Sequence, residues 1–344
     1  MGDTYPHMEI QAAGHALIRP AQVLTDRAAL SVAGRWTQAV SEADGVCVVH
    51  LSSGVDPCEV TADLREHGFR ASPNHVFTGQ PLFFGGPASR PFPADPIHYR
   101  PGRARTDVTV GLLDTGVAEH RWWADTDWYE RVPDEARDAT EGAQAGHGTF
   151  IAGLLARQAP GASIRVSRVL DGDGLGDEAT VIRALHRMRD RPPQVLNLSF
   201  GGHTFDDRPP PLLADALAEL PGTVAVACAG NTGSDRPFYP AALGSVVAVG
   251  AVDPDGHGRA PYSAYGKWVD ACARGDWLTS SFLVRDEFAG YAAWSGTSFA
   301  TAVVAGAIAA AACDRPATQA ADELLDLREA RQIPDLGVLV PSSL

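Results

Sequence analysis

The chain has 344 residues, with 28 Lys and Arg against 42 Asp and Glu, a formal net charge of −14. That length makes about two domains, and so acidic a surface excludes a nucleic-acid partner, which needs positive charge to displace counterions. A hydrophobic share of 45% with 20% charged residues excludes a disordered chain, and no apolar run is long enough to span a bilayer.

In chain order, residues 16–24 are predicted as a strand and 28–40 as a helix. A strand at 45–51 follows, then a helix at 56–67 with Val60 and Leu64 on one side, and a strand at 69–77. These make a small α+β unit over residues 1–80. Residues 81–105 are rich in proline and glycine without a period and read as a linker. Beyond it, apolar strands at 108–113, 163–170, 195–198, 223–229 and 246–252 alternate with helices at 147–157, 179–190 and 212–220. A long alanine-rich helix at 297–312 closes the series. This alternation predicts an α/β unit over 106–315, a mostly parallel sheet with helices on both faces. Residues 316–344 read as a C-terminal tail with one amphipathic stretch at 320–330.

Cys47, Cys58, Cys228, Cys272 and Cys313 show no metal-ligand spacing and read as small buried hydrophobes, not a disulfide framework. The first residues carry no basic segment followed by an apolar run, so no secretory signal is visible and a cytoplasmic location is expected.

Three segments carry polar residues that a parallel-sheet core does not need. Asp114 ends an apolar strand in LLDTGV, where an aspartate alone would simply start a turn. His147 stands between two glycines at a helix start in GHGTFIAG, where a lone histidine could be a cap. Ser298 lies in the first turn of the last helix in SGTSFAT, with Thr297 or Ser295 available as its N-cap. The order Asp, His, Ser is that of the subtilisin type of triad.

With VLNLSFGG and VACAGN between them, these stretches resemble the subtilisin-like serine peptidases (the subtilase, or S8, family) over about residues 105–315. The resemblance implies that Ser298 attacks the scissile carbonyl, that His147 is base and then acid, and that Asp114 holds the imidazole. Asn231, otherwise a turn residue before Thr232 and Gly233, would donate to the oxyanion together with the Ser298 backbone N–H. Gly174, Leu175 and Gly176 on one wall and Ser199, Phe200 and Gly201 on the other would clamp an extended peptide as an added strand. Ala229 and Gly230 would floor a roomy, apolar first pocket, which predicts a hydrophobic residue before the cleaved bond.

No cofactor and no metal are expected. Asp171 and Asp173 lie in a glycine-rich loop, but Ile182 stands where a calcium loop needs glutamate. The insertion that builds the family's tight calcium site is absent after His147, and Asp125, Asp127, Asp134 and Asp138 read as a solvated acidic loop. The N-terminal unit resembles the family's inhibitory propeptide through SPNHVF, which makes it an expected intramolecular inhibitor. The function expected is a serine endopeptidase acting on peptides or proteins under that restraint. The alternatives are a leader peptidase or macrocyclase maturing a peptide natural product, and an inactive peptide-binding scaffold.

Overall fold

The computed structural model describes residues 9–79, 90–99, 106–124, 136–326, 328 and 330–342. The N-terminal unit runs β1 (Gln11–Ala13), β2 (Ala16–Thr25), a short helix α1 (Leu30–Ala33), β3 (Thr37–Ala43), β4 (Val46–Leu51), α2 (Pro57–Glu66) and β5 (Ala71–Thr78). Helix α2 starts where the Asp56 carboxylate accepts the Cys58 N–H at 2.7 Å and Pro57 takes the first helical position. Its buried Val60 and Leu64 pack on Val23, Val49 and Leu51 of an antiparallel sheet ordered β3-β4-β2-β5. The helix expected over 28–40 is not there. It stops at Ala33, and residues 37–43 form β3, paired with β4 through a turn in which Asp44 and Gly45 have φ of 48° and 76°. Asp-Gly between two strands is a strong hairpin signal, and it outweighs the apolar spacing that suggested a helix.

The second unit begins with β6 (Phe92–Pro93) and β7 (Thr109–Asp114), followed by α3 (His147–Gln158), β8 (Ser163–Arg168), β9 (Leu175–Asp177), α4 (Glu178–Met188) and β10 (Val195–Leu198). It continues with α5 (Pro211–Ala218), β11 (Val224–Cys228), β12 (Val246–Val252), β13 (Ala271–Arg274), β14 (Leu278–Arg285), β15 (Phe288–Trp294) and α6 (Thr297–Ala311). Helix α7 (Ala317–Leu324), β16 (Gln332–Ile333) and β17 (Gly337–Leu339) complete it. The sheet order is β16-β17-β13-β12-β11-β10-β7-β8, parallel except for the β16–β17 pair. Every residue of β10 and β11 is buried, as strands covered on both faces must be. Phe150 and Leu154 of α3 pack with Val303, Val304 and Ile308 of α6 on one face. Ile182 and Leu185 of α4 pack with Leu213 and Leu217 of α5 on the other. The α/β arrangement read from the sequence is the one the chain adopts.

Two parts of this unit differ from the sequence reading. The tail is not an appendage: β17 pairs in parallel with β13, and Ala317, Ala320 and Ala321 of α7 join the main core. The hairpin β14–β15 was not anticipated. Its Ser280 and Ser281 hydroxyls donate to the Phe150 and Thr149 carbonyls at 2.8 Å each, bracing the helix that begins with His147. No helix among the described residues is long and apolar enough to cross a membrane.

The two units meet along one strand. β5 runs antiparallel to β9, with Val76 opposite Asp177, Phe77 opposite Gly176 and Thr78 opposite Leu175. Where α4 begins, the Glu178 carboxylate accepts from the Ser72 hydroxyl at 2.8 Å and meets His75 Nδ1 at 2.7 Å, all three residues fully buried. The Ala179 N–H donates to the Asn74 side chain at 3.1 Å, and Arg65 pairs with Asp206 at 2.7 Å beside this contact.

Candidate active site

The carboxyl end of β7 delivers Asp114, and the first residue of α3 is His147. Both side chains are wholly buried, and His147 Nδ1 meets Asp114 Oδ1 at 2.7 Å. The same oxygen accepts the Thr115 N–H at 2.8 Å, which sets the carboxylate's orientation. Helix α3 can come this close only because Gly148 has no side chain: a β-carbon there would lie 2.1 Å from the Gly116 carbonyl oxygen. The imidazole stands edge-on to Trp294 and tilted against Phe299, both with centroids 5.5 Å away. Because the Nδ1–H donates to Asp114, Nε2 is left with its lone pair, and that atom is buried without a hydrogen-bond partner among the described residues.

Ser298 is the second residue of α6, fully buried. Neither residue expected to cap this helix does so: no side chain caps it, and Gly296 occupies the N-cap position. Ser295 instead accepts the Trp277 N–H at 2.9 Å. The Thr297 N–H and hydroxyl donate to Asn231 Oδ1 at 2.9 and 2.8 Å, so the oxygen end of that amide is turned toward Thr297. The Ser298 carbonyl accepts the Ser199 hydroxyl at 2.9 Å, and Ser199 is itself held by the Asn197 amide at 2.9 Å. Thr115, Asn197 and Thr297 thus hold Asp114, Ser199 and Asn231. Their adjacency to Asp114, Ser199 and Ser298 was the only sequence signal for them.

The proposed groove is filled by the chain itself. The Thr78 N–H donates to the Gly201 carbonyl at 2.8 Å and the Gly201 N–H returns to Thr78 at 3.1 Å, while the Gly79 N–H donates to the Gly174 carbonyl at 2.8 Å. Gly174, Leu175 and Gly176 on one side and Gly201 on the other therefore contact one extended segment of the chain itself through backbone. Phe200 contributes its ring, 6.1 Å centroid to centroid from that of Phe77. At the end of this segment the Ser298 hydroxyl lies 3.1 Å from both the Gly79 and the Ser199 carbonyl oxygens.

Ala229 and Gly230 behave differently from expectation. Ala229 is committed to the sheet, its N–H bonded to Val249 at 2.8 Å and its side chain packed in a cluster with Val252 and Ala264. Gly230 donates to Thr297 Oγ1 at 3.2 Å and faces the ring of Phe238, so the space above it is not roomy.

The acidic residues also find other work. Asp171 accepts the N–H groups of Asp173 and Leu175 at 2.9 Å each, closing its own turn, and Asp173 accepts from Ala143 at 3.0 Å. Asp138 is not solvated. It is buried and accepts from the Gly146 and Thr149 N–H groups at 3.2 Å each and from the Thr149 hydroxyl at 2.6 Å, at the start of α3. Burial pushes its carboxyl up to about 6. Asp125, Asp127 and Asp134 lie outside the described residues. Among the described residues, no three His, Cys, Asp or Glu side chains cluster as metal ligands would.

The profile of the subtilase family matches residues 105–330, a stretch that contains Asp114, His147, Asn231 and Ser298. The chain belongs to this family. Thermitase of Thermoactinomyces vulgaris is 36% identical over 181 residues, which are 49% of this subtilase and 62% of thermitase. Subtilisin BL of Lederbergia lenta is 32% identical over 225 residues, covering 62% of this chain and 79% of that one. A cold-adapted subtilisin-like serine proteinase superposes with a TM-score of 0.55 at 26% identity, over 75% of this subtilase and 96% of the other chain. A lanthipeptide protease also superposes at 0.55, over 70% of this chain and 86% of that one, and its 22% identity speaks for the fold alone.

Proposed function

We propose that this subtilase is a serine endopeptidase that cleaves peptide bonds with Ser298, His147 and Asp114, and that its N-terminal unit restrains it. The observation that carries the reading is the buried His147–Asp114 contact of 2.7 Å, with Nε2 unpartnered among the described residues and Gly79 lying against both the His147 ring and the Ser298 hydroxyl. In the reaction, Nε2 takes the Ser298 proton as Oγ bonds to the substrate carbonyl carbon, then passes it to the departing amine. Asp114 keeps Nδ1 protonated and stabilises the imidazolium. The tetrahedral oxyanion is met by the nitrogen end of Asn231, whose oxygen is turned toward Thr297, and by the Ser298 N–H. Water repeats the sequence on the acyl-enzyme.

The restraint rests on β5 and Gly79, which fill the groove and bond to Gly174, Gly201 and Ser298. A fluorophosphonate probe tests both parts. It should label Ser298 in the wild type and nothing in Ser298→Ala, and labelling should be slower in the full chain than after removal of residues 1–79. Complete inertness would favour the inactive peptide-binding scaffold, and equal labelling rates would remove the restraint.

A further inference from the structure

The pocket beside the nucleophile has two walls. One is Ser199 to Gly201, tied to α6 through the Ser199 hydroxyl and the Ser298 carbonyl at 2.9 Å. The other is Gly230 and Asn231, tied to the same helix through Thr297 at 3.2 and 2.9 Å. The space between them opens next to Ser298 Oγ and the oxyanion donors. Both walls are tied to residues 297 and 298, so on the peptidase reading the side chain of the residue under attack falls between them.

Phe238 stands in that space. A β-carbon on Gly201 would lie 2.4 Å from its Cε1, and a β-carbon on Gly230 would lie 3.1 Å from its Cγ, Cδ1 and Cδ2. The one ring thus lies against both walls at the two positions without side chains. It is 6% exposed and held from behind by the His203 ring, edge-on at 5.4 Å. Its backbone is clamped as well. Pro237 O lies 2.9 Å from His203 Nδ1, and Tyr239 exchanges two backbone hydrogen bonds with Gly202, at 2.8 and 2.9 Å. A ring gripped on both sides in this way does not swing aside without breaking the contacts that hold it.

We propose that Phe238 is the specificity-determining residue of this peptidase, closing the first pocket so that the residue before the cleaved bond is glycine, alanine or serine. The inference rests on the peptidase reading above and reverses the hydrophobic preference that Ala229 and Gly230 suggested. A branched or aromatic side chain has no volume to enter. Because a single methylene in an apolar pocket already discriminates about 10- to 200-fold, exclusion of a whole ring makes a large difference in kcat/KM.

The test compares Phe238 with Phe238→Ala in the full chain, both carrying Phe77→Ala to loosen β5 from the groove. Two peptides identical but for alanine or phenylalanine before the cleaved bond serve as substrates, and turnover is divided by the fraction of Ser298 that a fluorophosphonate labels. Phe238 enzyme should prefer the alanine peptide by about 100-fold or more, and Phe238→Ala should bring the ratio to within about 10-fold or invert it. Phe238→Leu, a milder change, should fall between. A labelled enzyme that prefers the phenylalanine peptide, or a ratio unmoved by either substitution, overturns the proposal and leaves the peptidase reading standing. Chains that neither label nor cleave overturn both.

Discussion

The Ser298 hydroxyl and the Gly79 carbonyl, 219 positions apart in the chain, lie 3.1 Å from each other. The Ser298 hydroxyl is thereby engaged with a backbone oxygen of its own polypeptide, and His147 Nε2 has no hydrogen-bond partner among the described residues. The contact exists because β5 continues past Thr78 between two backbone rims, so its stability is set by how firmly β5 is anchored.

Phe77 is the largest of those anchors, fully buried against Phe200. Replacing a buried phenylalanine by alanine costs about 3–5 kcal/mol, and here much of that falls on the docking of β5. Phe77→Ala in the full chain should therefore raise the second-order rate of fluorophosphonate labelling at Ser298 by at least about 10-fold. An unchanged rate would mean that β5 does not limit access.

On the proposed mechanism Asp114 acts through His147. Asp114→Asn preserves volume but offers Nδ1 an amide in place of a carboxylate, favouring the wrong tautomer. The expected loss is about 10⁴-fold in kcat with an unchanged circular dichroism spectrum. A loss that appeared mainly in KM would contradict a role in orienting the base.

Asn231 should separate binding from catalysis. On the proposed mechanism its nitrogen end meets charge that exists only in the transition state, so Asn231→Ala should lower kcat by about 10²–10³ with little change in KM. Thr297→Val, which removes one of the two donors fixing the amide oxygen, should give a smaller fall of the same kind. Equal activity in Asn231→Ala and wild type would place the oxyanion donors elsewhere.

Asp138 gives the fold a pH dependence whose sign is defined. Its carboxyl is raised to about 6 by burial, above the ordinary carboxylate range. Between about pH 4 and 6 the folded chain keeps a proton that the unfolded chain has lost, so stability falls as pH rises through that window. The whole effect is on the order of 3 kcal/mol. Urea midpoints of wild type and Asp138→Asn measured across this range should diverge, the wild type declining more steeply. Parallel curves would show that the carboxyl is not protonated in the native state.

How much of this was legible in the sequence depended on distance along the chain. Asp114, His147 and Ser298 stood out as candidates because each sits at the junction of a strand or helix with a glycine-bearing turn. The parallel strands could be read because burial on both faces leaves them uniformly apolar. β3 was misread because residues 28–40 carry an apolar spacing compatible with a helix, while the deciding Asp44-Gly45 turn lies beyond that window. The β14–β15 hairpin and the late strands β16 and β17 are short, and their pairing partners are fixed by tertiary packing. Phe238 was invisible for a further reason. Nothing near it in sequence indicates that its ring will meet Gly201, a contact settled by how the loop after Asn231 folds back.

The backbone pairing around β5 also bears on which substrates can enter. Thr78 and Gly79 satisfy donors and acceptors on Gly174 and Gly201 together, from opposite sides. Any segment replacing them must offer both of its own hydrogen-bonding edges at once. A strand inside a native sheet has already spent at least one edge on a neighbour, and a helix has turned its N–H and C=O groups along its own axis. On the proposed peptidase reading the groove discriminates between folded and unfolded chain before any side chain is consulted, and a well-folded protein is spared for as long as it stays folded.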